Sequence, residues 1–158
     1  MDKIIPCLWF DNQAEEAARY YVSLLPGATI DAVIPSPVDN PGTRKGEPVL
    51  VEFTLAGQNF QALNGGPFFK PTGAVSLSVS CADQAEVDRL WDGLLDGGQP
   101  MECGWITDRY GYSWQIVPEM LSRLLRSGEP PKVEAMFKAM LQMVKLDIAT
   151  LQAAYDAG

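Results

Sequence analysis

The chain has 158 residues, 47% of them apolar, enough to bury a core in one domain or in two fused small modules. Its formal net charge of −8 is spread along the sequence, so it lacks the clustered lysine and arginine that nucleic acid requires. No apolar run approaches the roughly eighteen residues that span a bilayer, and no membrane partner is expected. There is no histidine, which removes imidazole as a metal ligand, as the base of a nucleophile pair and as the usual proton carrier at neutral pH.

The opening MDKIIPCLWFD has a short apolar run ending in acid, unlike a secretory signal. Cys7, Cys81 and Cys103 sit among apolar neighbours with no CxxC spacing, which fits reduced thiols and a cytoplasmic address. Ile4 to Phe10 reads as a strand. QAEEAARYYVSLLPG, from Gln13, reads as a helix with Asp11 or Asn12 as cap, acid in its first turn, and Gly27 as its stop. Ala14, Ala17, Ala18, Tyr21 and Leu25 form its apolar stripe. PSPVDNPGTRKGEP, Pro35 to Pro48, is a loop expected to be mobile and to border a binding site. VLVEFTLAG and GQNFQAL follow as strands. Glu52 alternates with Val51 and Phe53, so it either faces solvent or points into a site as a base.

After the connector GGPFFKPTG, VSLSVSC alternates Leu77, Val79 and Cys81 with Ser76, Ser78 and Ser80. QAEVDRLWDGLLDG reads as a second helix, with Asp83 as cap and Gly97 as stop. CGWIT and SWQIVP are strands around the turn DRYGY, where Asp108 and Gly111 suit the bend. Trp114 and Ile116 should pack beneath a helix; Gln115 and Val117 face the other way. EMLSRLLRSG is a short helix ending at Gly128. From Pro130 a longer helical region carries Met136, Met140 and Met143 at helical spacing, as core or dimer contact.

Two segments echo each other. Both helices open Gln-Ala-Glu and close Leu-Leu-x-Gly, with Gln13 and Gln84 lying 71 positions apart. GQNFQAL and GYSWQIV share Gly-x-x-aromatic-Gln, with Gly57 and Gly111 lying 54 apart. The Pro35–Pro48 loop accounts for the difference. The chain therefore reads as two βαβββ modules, about 1–66 and 73–118, with a helical extension over 119–158. The repeat places Ile5, Cys7 and Trp9 where the second module has its serines.

Paired βαβββ modules resemble the vicinal oxygen chelate superfamily, whose glyoxalase/bleomycin-resistance fold is α+β, with curved mixed sheets forming a cup. QALNGGP, SLSVSCADQAEVDRLW, ECGWITDRYGYSWQIVP and AMLQMVKLDIATLQAA look closer still to its PhnB-like branch, labelled 3-demethylubiquinone-9 3-methyltransferase. In metal-using relatives, four ligands line the cup at positions that match Ile5, Gln61, Ser76 and Gln115. Ile5 cannot ligate, and the others are weak neutral donors, so no metal and no cofactor is expected. Glyoxalase and dioxygenase chemistry need that metal. A methyltransferase of the usual kind needs a glycine-rich nucleotide turn after its first strand, where this chain has DNQAEEA.

The resemblance implies a cup lined by Cys7, Trp9, Gln61, Ser76, Ser78, Ser80 and Gln115, with Ile5 at its edge and Trp105 lining or lidding it. Hydroxyls, amides and aromatic area suit a small neutral or aromatic ligand. The alternatives are a metal-free binding protein and a metal-free enzyme moving a proton through Glu52 or a tyrosine. A homodimer is expected, partly from the resemblance and partly from the apolar surface of the tail.

Overall fold

The computed structural model describes residues 2–158. The chain divides into two compact units between Pro71 and Thr72. In the first, β1 (Cys7–Phe10), α1 (Ala14–Leu24), β2 (Thr29–Pro35), β3 (Pro48–Leu55) and β4 (Gln58–Asn64) follow in order, and the sheet runs β1-β4-β3-β2. In the second, β5 (Ser76–Cys81), α2 (Gln84–Leu95), β6 (Gln99–Pro100), β7 (Trp105–Thr107) and β8 (Ser113–Pro118) give the order β5-β8-β7-β6. Each sheet pairs its first and last strands parallel and the others antiparallel. The internal repeat is thus a repeat of topology, and the fold is α+β with two four-stranded mixed sheets. No helix among the described residues is long and apolar enough to cross a membrane.

Each helix covers one face of its own sheet. Ala14, Ala17, Ala18 and Tyr21 of α1 are buried, as are Val51, Phe53, Leu55, Phe60 and Ala62. Phe53 stacks on Phe60 at 5.5 Å and meets Tyr21 at 6.3 Å between ring centroids. The small alanines let the helix lie close while the aromatics fill the space. Val87, Leu90, Trp91 and Leu94 of α2 are buried in the second unit, together with Ile106, Trp114 and Ile116. Pleating then sends the intervening residues of each strand to the opposite, open face.

Local expectations were met unevenly. The first strand begins at Cys7 rather than Ile4. Pro6 has no N–H for the ladder, although its carbonyl still accepts from the Gln61 amide at 2.9 Å. Asp83 caps α2 by accepting from Glu86 N at 2.8 Å, and Glu86 reaches back to Ala82 N at 2.7 Å, in the manner of a capping box. The first helix has no such local cap. Its Ala14 amide donates instead to Asn64 Oδ1 of β4, 2.9 Å away, while Asn64 Nδ2 donates to Pro48 O.

The Pro35–Pro48 loop is tied, not loose. Asn40 Oδ1 accepts from the amides of Gly42 and Thr43, both at 2.9 Å. Its Nδ2 reaches Ser36 Oγ and Thr43 Oγ1 at 2.9 and 2.7 Å. Ser36 and Thr43 are buried, and Gly42 rests against the Asn64–Gly65–Gly66 backbone. Such bonding argues against the expected mobility.

The C-terminal region belongs to the second unit. It forms α3 (Glu119–Ser127), α4 (Pro130–Met140) and α5 (Ile148–Ala157), with a break over 141–147 where one longer helical region was expected. In that break the carbonyls of Met143 and Val144 accept from Cys103 N and Gly104 N at 2.9 and 2.8 Å, which takes this backbone out of a helical ladder. Asp147 restarts the helix by capping Thr150 N at 2.7 Å. Met136 is fully buried with Leu121, Leu146 and Leu151, and Met140 and Met143 pack against that cluster. The methionine stripe is therefore internal core. The exposed apolar residues nearby are Leu125, Phe137, Leu141 and Val144.

Candidate functional site

The open face of the first sheet collects most of the first-module candidates. Cys7 lies opposite Gln61, and Gln61 lies opposite Glu52, so the three form one row across β1, β4 and β3. Their neighbours Leu8, Ala62 and Val51 are buried beneath α1, which fixes the row on the other side. Glu52 is therefore on the candidate binding face and half-buried. Directly opposed side chains on an antiparallel pair stand about 5 Å apart at Cβ, so a carboxylate acceptor and an amide donor are presented together.

A cavity of about 280 Å³ opens on this unit, lined by Ile5, Asp31, Glu52, Thr54, Asn59 and Gln61, with Phe53 and Phe60 behind. Asp31, Thr54 and Asn59 were not anticipated. Asp31 sits at a register shift in β2 between Ile30 and Ala32. Such an extra residue re-aims a side chain. Asp31 accepts from Thr29 Oγ1 at 2.7 Å and from Thr54 Oγ1 at 2.6 Å, and Thr54 Oγ1 in turn accepts from Asn59 Nδ2 at 3.1 Å.

Trp9 borders the row as a fixed wall. Its Nε1 donates to Gly66 O at 2.8 Å, and its ring meets Phe69 edge-on at 4.8 Å. The indole lies so close over Gly65 that a Cβ there would fall 2.2 Å from Trp9 Cζ2. The Gly-Gly pair of QALNGGP thus makes room for the tryptophan.

In the second unit Ser78 lies opposite Gln115, and Gln115 lies opposite Trp105. This is the counterpart of the first row, with a hydroxyl and an indole flanking the amide. Gln115 Nε2 donates to Ser76 Oγ at 2.9 Å, which orients the amide. Ser80 stands beside Val117 farther along the same face. The remainder of the aromatic-rich segment is structural. Asp108 is buried and accepts from Tyr110 N, Tyr112 N and Trp114 Nε1 at 2.8, 3.0 and 2.9 Å. Arg109 pairs with Asp96 at 2.9 Å.

The family model that matches is described as 3-demethylubiquinone-9 3-methyltransferase and covers residues 2–117. The chain belongs to this family. The PhnB protein of Bacillus cereus is 31% identical, with a TM-score of 0.67 over 74% of this chain and 99% of its own. A Pseudomonas aeruginosa protein is 25% identical, with a TM-score of 0.63 over 75% of this chain and 98% of that one. The fosfomycin resistance protein FosX of Listeria monocytogenes is 11% identical, with a TM-score of 0.50 over 75% of this chain and 93% of its own; it shares the fold. No curated protein matches the chain.

In this 3-demethylubiquinone-9 3-methyltransferase family member, β1 leads through Asp11, Asn12 and Gln13 directly into α1, whose first amide is already bonded to Asn64. Nothing there resembles a glycine turn open to a nucleotide, so the residues do not fit that cofactor. The four metal-ligand positions do not fit a metal either. Ile5 brings hydrocarbon, the Ser76 hydroxyl already accepts from Gln115, and the two glutamines are neutral donors. Among the described residues no three His, Cys, Asp or Glu side chains gather closely enough to hold an ion.

Proposed function

We propose that this protein binds a small neutral or aromatic molecule without a metal ion, on the open faces of its sheets. The observation that supports it best is the Cys7–Gln61–Glu52 row beside the pinned Trp9, next to a cavity of about 280 Å³. Gln61 and Glu52 supply an adjacent donor and acceptor, and Trp9 supplies a rigid flat wall. Small-molecule sites have this makeup, with apolar area and a few converging polar groups. On the second unit's own open face, Ser78, Gln115 and Trp105 form a comparable set, with Ser76 orienting Gln115. Native mass spectrometry of the purified protein, before and after exposure to a metabolite extract, tests this reading. A bound species lost in Gln61→Ala supports it; an empty protein in both cases contradicts it.

The position of Glu52 on the open face favours a second reading, in which it moves a proton on the bound molecule. Glu52→Gln separates the two. Binding kept with no change in the ligand's chemical fate supports a binding protein, and conversion abolished by the substitution supports an enzyme.

Residues 1–118 make up the proposed binding domain, residues 119–158 its extension, and two chains pair as a homodimer through α3 and α4. Leu125, Phe137 and Leu141 are exposed along a groove there. Closed pairing would bury apolar surface that a monomer leaves in water. All three cysteines are free, which suits the reducing cytoplasm.

A further inference from the structure

The family match ends at residue 117, yet the segment after it is wired into the second unit beside Trp105. Three sets of contacts hold residues 143–148. Met143 O and Val144 O accept from Cys103 N and Gly104 N. Gln84, the first residue of α2, grips the segment twice: its Nε2 donates to Leu146 O at 3.2 Å and its Oε1 accepts from Ile148 N at 2.8 Å. Lys145 pairs with Asp88 at 2.8 Å, one turn along α2 from Gln84.

These contacts converge on an unusual piece of backbone. Cys103 has φ 58° and Gly104 has φ 81°, two left-handed residues in succession, the first of them not glycine. A non-glycine residue there is held by its surroundings, not by its own preference. Leu146, buried to 1% exposure, closes over Gly104 so tightly that a Cβ there would lie 2.9 Å from its side chain. From this kink the chain enters β7 at Trp105. Gly104 O accepts from Ile116 N, and Trp105 lies opposite Gln115.

We infer that the segment 143–148 is a strap that positions Trp105 on the second module's open face, with Gln84 and Lys145 as its positioning residues. The consequence for ligand binding rests on the function proposed above; the placement of Trp105 does not. Residues beyond the matched range 2–117 therefore shape the second module's open face.

The test uses the full chain labelled with 5-fluorotryptophan. Its four tryptophans give four fluorine signals, and Trp105→Phe identifies one of them. In Gln84→Ala, and separately in Lys145→Met, the Trp105 signal should shift or broaden while those of Trp9, Trp91 and Trp114 stay in place. Amide exchange at Cys103 and Gly104 should rise on the order of tenfold in Gln84→Ala, because each lost bond to the strap contributes modestly. An unmoved Trp105 signal with unchanged exchange at Gly104 overturns the inference. So does loss of all four signals together in both variants, which would make these residues general supports of the fold. Failure of the unmodified protein to bind any molecule would sink the proposed function and leave this readout intact.

Discussion

Gly65→Ala isolates the link between the Gly-Gly pair and the wall of the binding face. A Cβ at Gly65 would stand 2.2, 2.3 and 2.5 Å from three atoms of the Trp9 ring, well inside van der Waals contact. The backbone there is not left-handed, so the cost is steric and not conformational. Trp9 must leave, breaking its 2.8 Å bond to Gly66 O and its edge contact with Phe69. Overpacking costs about 1–3 kcal/mol and a lost hydrogen bond about 1 kcal/mol, giving an expected loss of about 2–4 kcal/mol. Gly27→Ala is the comparison. Gly27 has φ 72° with nothing within 4 Å, so alanine there should cost only the left-handed penalty, about 1–2 kcal/mol. Urea unfolding followed by circular dichroism measures both, and the Trp9 fluorine signal reports the ring. A Gly65→Ala cost below about 0.5 kcal/mol with Trp9 unmoved would refute the steric argument.

Four other outcomes are expected. Asp108→Asn should destabilise the second unit by about 1–3 kcal/mol, because an amide pointed at Trp114 Nε1 sets donor against donor; denaturant titration measures it. Burial, with Glu86 nearby, pushes the Cys81 thiol up to about 12, so iodoacetamide at pH 8 should leave Cys81 intact in the folded protein while it marks the exposed Cys7, whose thiol burial raises as well, as read by peptide mass spectrometry. The hydrogen bond from Lys145, then that from Gln84, holds the Asp88 carboxyl below its ordinary range. That contribution is complete above the unfolded value near pH 4 and is lost as pH falls through the folded one, so the protection factors of the amides over 143–148, corrected for the intrinsic pH dependence of exchange, should fall below about pH 4 and stay level between about pH 5 and 9. Leu141→Glu with Phe137→Glu should yield a monomer by light scattering with both units folded, whereas Met140→Glu should damage the core it packs against.

Much of the fold was legible because repetition does not depend on geometry: Gln-Ala-Glu at Gln13 and Gln84 and Gly-x-x-aromatic-Gln at Gly57 and Gly111 mark two copies of one topology. Alternation likewise put Ser76, Ser78 and Gln115 on one face, since side chains in a strand have only two directions. Contacts between distant segments were not legible. Asn64 caps a helix that begins fifty residues earlier, and Asp11 and Asn12 looked better placed to a local eye. Asp31 joins the candidate site only through a register shift that no residue type announces. The tail looked like continuous helix because its apolar spacing says nothing about Cys103 and Gly104, whose amides take up the carbonyls at Met143 and Val144. That Glu52 stands opposite Gln61 follows from the ladder's register, which alternation alone does not fix.

Native mass spectrometry of the full chain against a metabolite extract, with elemental analysis of the same sample, reads directly what the protein holds. Metal-free binding implies one small organic species per chain, no stoichiometric divalent metal after dialysis, and loss of that species in Gln61→Ala. A tightly held zinc, iron or manganese ion, or a ligand indifferent to Gln61→Ala and Trp9→Phe alike, would contradict it.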